Sequence, residues 1–261
     1  MARAEQVLWL LNFLATAALL GRIVRCKLSR TYPCLFLYWL AQALAALILF
    51  QIPIRTNLYS YAYFVAKSVS LILAVLVVNE LYRVALAAHP ALSVFGRRSM
   101  LAVFGLSATL AGAIAGLDST VLPGQYALIH RFMTVDRTLQ FIFLVFLLAI
   151  SGFLLWFPVK IQRNLAVYIA GFIVFYSSQS FAFLLNNRLP QHYSQSVSVA
   201  AMAMALLCLL IWLIGLRAEG ESAATVTGHG WNPAAAARLA AQLEEINTAL
   251  TRFVRSSARP R

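Results

Sequence analysis

Acidic residues are scarce. The chain carries eight Asp and Glu against 21 Lys and Arg, and charged residues make up only 11% of its 261 positions. Soluble domains carry about 25% charged residues. With 62% hydrophobic residues, this shortage excludes an ordinary soluble domain and points to an integral membrane protein. It also changes the meaning of the net charge of +13. In a membrane protein basic residues set topology and meet the anionic inner leaflet, so anionic lipid is an expected partner and nucleic acid is not.

Cysteine is equally sparse. Cys26, Cys34 and Cys208 leave an odd count, and none lies in a CxxC or beside a histidine. No disulfide framework and no metal site follow from that pattern. The four histidines are His89, His130, His192 and His229. All fall at run edges, in loops or in the tail, whereas haem b held between helices needs two histidines deep in the bilayer. Haem b is therefore not expected. His130 and His192 share an outer edge, but two loop histidines make a weak metal pair.

Proline is missing from the interior of every apolar run: all eight lie at run ends or outside them. Transporters often mark their site with paired Gly- or Pro-interrupted helices, and that mark is missing, as is an internal repeat. No HExxH, P-loop or dinucleotide fingerprint occurs. "GLSA" at Gly105–Ala108 carries a serine, but Ser107 is placed at the opposite face from His130 and His192, out of reach of a base. No catalytic residue is assigned.

What the chain has is length of apolar sequence. A bilayer core needs about 20 apolar residues per helix. Seven runs qualify: Gln6–Val24, Pro33–Ile52, Tyr61–Leu81, Met100–Leu117, Met133–Phe157, Leu165–Asn186 and Gln195–Leu216. The predicted fold is all-α, a polytopic seven-helix transmembrane bundle over 1–217. A linker over 218–231 and a C-terminal amphipathic helix with a basic tail over 232–261 follow it.

Charge orients the bundle. The first run has Arg3 and Glu5 before it and Arg22, Arg25, Lys27 and Arg30 after it. That favours a retained helix over a cleaved signal peptide. With the N-terminus outside, Arg3, Arg55, Arg131, Arg137 and Arg188 face outward, Lys67 lies in a run, and the remaining basic residues face inward. The bias predicts N-out and C-in.

Two charges interrupt "FVAKSVSLILAVLVVNELYR". Glu80 has Arg83 three residues on, on the same helical face, which suits a local ion pair. Lys67 either snorkels to the outer headgroups or pairs with the fifth run, which enters as "HRFMTVDRTLQ". There His130, Thr134, Arg137 and Thr138 share a face by i, i+4, i+7, i+8 spacing, and Asp136 is the natural counter-charge for an intramembrane lysine. Tyr176 and Gln179 in the sixth run and Gln195 in the seventh would complete an outward-facing polar cavity between the third, fifth, sixth and seventh runs. The same residues would otherwise serve as interhelical hydrogen-bonding glue.

Gly112 and Gly116, four apart in the fourth run, form a close-packing motif for the bundle or for a homo-oligomer. Seven spans with the N-terminus outside resemble rhodopsins and seven-helix receptors in topology alone. Retinal would require a lysine on the last run, which has none, so retinal is not expected.

After Leu216 the composition shifts to "AEGESAATVTGHG", small and polar, read as a flexible linker. Asn232 then caps and Pro233 starts a helix. Leu239, Leu243, Ile246, Leu250 and Phe253 recur at 3,4 spacing, a narrow apolar stripe that must rest on something. It can dock on the inner face of the bundle, lie on the anionic leaflet or pair with a partner helix; protein contact is expected, with the basic end touching lipid.

"NELYRVAL", "RTLQFIFLVFLL" and "WFPVKIQRN" resemble pieces of bacterial seven-helix integral membrane proteins with no assigned function. The resemblance implies a bacterial inner membrane and carries over no functional residue. The expected function is that of a non-enzymatic sensor, scaffold or accessory subunit docking partners through its C-terminal helix. The alternative is a transporter or lipid-handling membrane enzyme using the polar cavity.

Overall fold

The computed structural model describes residues 3–53, 56–87, 90–117, 127–156, 159–188, 190–221, 224–227 and 233–257. Within these, side chains are described for all but 3, 90–93, 95, 111–112, 114–117, 127–134, 159–160, 187, 191, 221, 224–227, 233–236, 240, 250 and 253–257. Nearly all the described backbone is helical. The order is α1 (Arg3–Arg25), the short α2 (Leu28–Thr31), α3 (Pro33–Gln51), α4 (Asn57–Ala85), α5 (Pro90–Leu117), α6 (Ala127–Trp156), β1 (Val159–Gln162), α7 (Arg163–Arg188), α8 (Ser194–Gly215), β2 (Ala224–Thr227) and α9 (Pro233–Ser257).

Among the described residues six helices are long and apolar enough to cross a membrane: Ala4–Arg25, Pro33–Gln51, Asn57–Ala85, Val135–Trp156, Arg163–Asn186 and Ser194–Gly215. The expected seventh span corresponds to α5, which is not among these six. The outer surface of the bundle is apolar: Ile72 is 62% exposed, Leu106 62% and Ile214 68%. A surface built this way belongs against lipid, since a soluble protein rarely exposes so continuous an apolar face. The chain is a helical membrane protein.

Helix ends follow local chemistry and then tertiary chemistry. α4 starts where the Thr56 hydroxyl accepts the Tyr59 N–H at 3.3 Å, an ordinary N-cap. α3 starts at Pro33, whose fixed φ suits a first helical position. Its N-cap, Tyr32, makes no side-chain capping bond; its hydroxyl donates to Gln162 Oε1 instead. The acceptor comes from elsewhere: Glu80 of α4 takes the N–H of Cys34 and of Leu35, both at 3.2 Å. The expected pairing of Glu80 with Arg83 is present as a longer 3.9 Å contact to a largely exposed side chain. On the residue before Glu80, Asn79 Oδ1 accepts from Arg97 Nε of α5 at 2.6 Å. Charged side chains thus tie α3, α4 and α5 together at one end.

The same end is stitched between α7 and α8. Asn164, fully buried, donates to the Arg217 carbonyl at 2.8 Å and accepts the Arg217 N–H at 3.2 Å. Beyond it the described parts of the segment read as a flexible linker are ordered. A 3₁₀ turn spans Ala218–Glu221, and Ala224–Thr227 pairs antiparallel with β1, Val159 opposite Thr227 and Gln162 opposite Ala224. The composition of small polar residues gave no warning, because the partner strand supplies the hydrogen bonds.

The core is aromatic. Trp212 packs against Trp39 and Phe172 with ring centroids 5.1 and 4.8 Å apart. Phe172 passes the chain of rings to Tyr176, and Tyr176 to Phe143. The indole of Trp212 lies directly over Gly171, where even a Cβ would collide with it. That close approach is what brings α7 and α8 together. Gly112 and Gly116, expected to serve as the packing motif, lie on a stretch of α5 outside the described side chains.

α9 begins at Pro233, as expected, and rests on α5. Leu243 is buried and Leu239 half-buried, and Asn247 is buried beside them; Ile246 is 48% exposed. Leu250 and Phe253 lie outside the described side chains. Among the described side chains, part of the apolar face of α9 is buried where the helix rests on the chain's own bundle.

Candidate functional site

Four helices each bring polar residues to one internal cavity of about 240 Å³. α3 contributes Tyr38 and Gln42, α4 Tyr63, Lys67 and Ser70, α6 Asp136 and Gln140, and α7 Tyr176 and Gln179. Within each helix these residues stand three or four apart, which places them on one face. The remaining wall is apolar, including Phe143, Phe175 and Phe183. Lys67 lies ten residues into α4, about 15 Å along its axis, so the cavity is far from the helix end.

Its centre is an ion pair. Lys67 Nζ stands 3.6 Å from Asp136 Oδ2, and the same oxygen accepts Gln140 Nε2 at 2.8 Å. The two partners are not equally placed: the Lys67 side chain is 35% exposed and that of Asp136 6%. The carboxylate is the more deeply buried partner. Asp136 Oδ1 and Gln140 Oε1 are both buried and have no hydrogen-bond partner among the described residues. Buried polar atoms are normally satisfied, because leaving one bare costs on the order of 1–3 kcal/mol. These two acceptors stand one turn apart on α6, both on residues that line the cavity, and are available to donors that enter it. Ser70 does not serve them, since its hydroxyl donates to the Ala66 carbonyl of its own helix at 2.8 Å. The Tyr38 hydroxyl neighbours Gln42 and Tyr176.

Of the residues expected at the cavity, Lys67, Asp136, Tyr176 and Gln179 line it. Arg137 is exposed, with its guanidinium 5.4 Å from the Phe183 ring centroid, the usual cation–π range. It stands behind the wall rather than in it. Gln195 is exposed at the start of α8 and does not line the cavity. The fourth wall is α3, not the last span: α8 is occupied with α1 and α7, and its Trp212 fills the bundle centre. The side chains of His130 and Thr134 lie outside the described residues; His192 is exposed against Tyr193.

Tyr38, Gln42, Tyr63, Ser70 and Gln140 are the lining residues that sequence reasoning passed over. A signal for them exists. Tyr38 and Gln42, Tyr63 and Lys67, and Asp136 and Gln140 are each i, i+4 polar pairs inside apolar runs, and each lies on a single face.

No family model matches the chain, and neither a curated protein nor a solved structure matches it. The functional reading rests on the cavity itself. Its groups are one cation, one anion, amides and phenols in an aromatic wall. That set suits reversible binding of a small polar solute that donates hydrogen bonds.

Proposed function

We propose that the chain is a non-enzymatic sensor: a seven-span inner-membrane protein, N-terminus outside and C-terminus in the cytoplasm, that receives a small hydrogen-bond-donating solute in the cavity between α3, α4, α6 and α7. The observation that carries this reading is the pair of bare acceptors, Asp136 Oδ1 and Gln140 Oε1, beside a lysine that neutralises the site. A ligand with two donors would satisfy both atoms without bringing in net charge. The seventh span in this reading is α5, and the orientation follows from the concentration of basic residues at the α1, α3 and α8 ends that share Arg22, Arg25, Lys27 and Arg217. α9 then lies on the cytoplasmic side, where it is the natural output element. Leu243 holds it to the bundle, and Ile246 is left for a partner.

Unbroken helices favour a sensor over a transporter. α4 runs 29 residues and α6 30 without interruption, whereas transporter sites usually use broken helices. Accessibility tests both ideas. In a chain with Cys26, Cys34 and Cys208 replaced, Gln179→Cys and Gln42→Cys are each exposed to a membrane-impermeant thiol reagent. Labelling from the outer side alone supports the sensor. Labelling from both sides in intact cells and inverted vesicles transfers the proposal to a transporter. No labelling at either position closes the cavity to solvent and removes the proposal.

A further inference from the structure

A second cavity lies between α1 and α8, at the end where the basic residues gather. It is open and holds about 800 Å³. Three arginines line it, Arg22, Arg25 and Arg217, with one acidic residue, Glu219. Arg22 is half-buried, and its Nε donates to the Leu216 carbonyl at 2.7 Å. That bond serves an otherwise bare carbonyl at the end of α8 and fixes the arginine in place, leaving its two Nη groups for another partner. The opposing Glu219 leaves the site with an excess of two positive charges.

Away from the arginines the cavity becomes apolar and shallow-walled. Ala17, Ala18 and Gly21 line it and are exposed. A Cβ built at Gly21 meets nothing within 4 Å, so the glycine borders open space rather than a packed neighbour. From Ala17 to Arg25 is eight residues, a trough of about 12 Å along α1. It points into the apolar zone of the bundle from a cationic mouth.

We propose that this cavity binds one anionic phospholipid of the leaflet it opens to, with the phosphate on Arg22, Arg25 and Arg217 and the first part of an acyl chain along Ala17, Ala18 and Gly21. Guanidinium groups recognise phosphate oxygens through paired N–H donors, and basic pockets between transmembrane helices are a known way to hold such headgroups. A free phosphate would use the arginines but has no use for the apolar trough. The site is separate from the α3–α4–α6–α7 cavity and does not depend on its reading.

The test is native mass spectrometry of the full chain released from mixed phosphatidylglycerol–phosphatidylcholine nanodiscs, comparing bound lipid with two variants. Arg25→Gln/Arg217→Gln removes two charges and leaves the Arg22 contact. Gly21→Leu fills the trough where no protein atom stands, and its melting temperature should match the parent. The expected result is a retained phosphatidylglycerol adduct, at least tenfold reduced in both variants and unaffected by millimolar inorganic phosphate. Equal retention of both lipids would overturn the proposal, as would adducts unchanged by Gly21→Leu. Displacement by inorganic phosphate would assign the arginines to a soluble anion instead. If the double variant fails to fold, Gly21→Leu decides alone.

Discussion

The carboxylate of Glu80 accepts the Leu35 N–H at 3.2 Å across 45 residues of sequence, so one transmembrane helix is capped by another. The Cys34 N–H is bound in the same way. Two orphan donors at the start of α3 are thereby satisfied in a place water does not readily reach.

This cap makes a graded prediction. Glu80→Ala should destabilise the protein by about 2 kcal/mol, since a charged acceptor is lost from one buried and one half-buried donor. Arg83→Ala should cost well under about 1 kcal/mol, because that side chain is 58% exposed and its contact is long. Chemical unfolding in mild detergent measures both. Equal losses would mean that the local ion pair, not the cap, is what Glu80 contributes.

Lys67 and Asp136 should behave as a unit. Lys67→Met strands a carboxylate whose side chain is only 6% exposed and should cost about 2 kcal/mol. Roughly 3–5 kcal/mol is typical when a pair is fully buried, but the lysine here is a third exposed. Adding Asp136→Asn should recover most of the loss, because an amide is cheaper to leave without a cation. A double-mutant cycle in thermal unfolding reads the coupling, and strict additivity would count against the pair.

Two glycines should respond oppositely to alanine. Gly171→Ala drives a methyl into the Trp212 indole and should cost about 1–3 kcal/mol, the usual range for overpacking. Gly105 has nothing within 4 Å of a built Cβ, so Gly105→Ala should be neutral or stabilising by up to about 1 kcal/mol. Melting temperatures of the two variants, measured side by side in detergent, check the contrast.

Asn164 should govern the segment after α8. It binds both the N–H and the carbonyl of Arg217 and is completely buried. Asn164→Leu keeps the volume and removes both bonds. Limited proteolysis should then cut between 218 and 232 at least several-fold faster, with the bundle intact. An unchanged cleavage rate would mean that the β1–β2 pairing alone holds this segment.

Much of the architecture was legible in the chain. Long apolar runs bounded by prolines and arginines announce membrane helices, because a bilayer demands about 20 apolar residues and satisfied backbone groups. The start of α9 at Pro233 was readable for a similar reason: proline's fixed φ is a local property. The cavity was half legible. Lys67 and Asp136 stand out as charges in apolar sequence. Tyr38 and Gln42 do not, since a tyrosine or glutamine in a helix has many ordinary uses. The placement of Gln195 failed because a start-of-helix polar residue looks the same whether it faces a cavity or water.

The sequence by itself determined that this is a membrane protein of long helices, with a lysine in one apolar run and an aspartate in another. Periodicity and hydropathy are properties of each segment alone, so they survive without knowledge of neighbours. Which helices adjoin was decided only in the tertiary structure. There the fit of the Trp212 ring onto Gly171 sets α8 against α7, and α3, not α8, becomes the fourth wall of the cavity. The same holds for Glu80, whose role depends on the open N-terminus of another helix. Packing and hydrogen-bond satisfaction are relations between segments, and no single segment carries them.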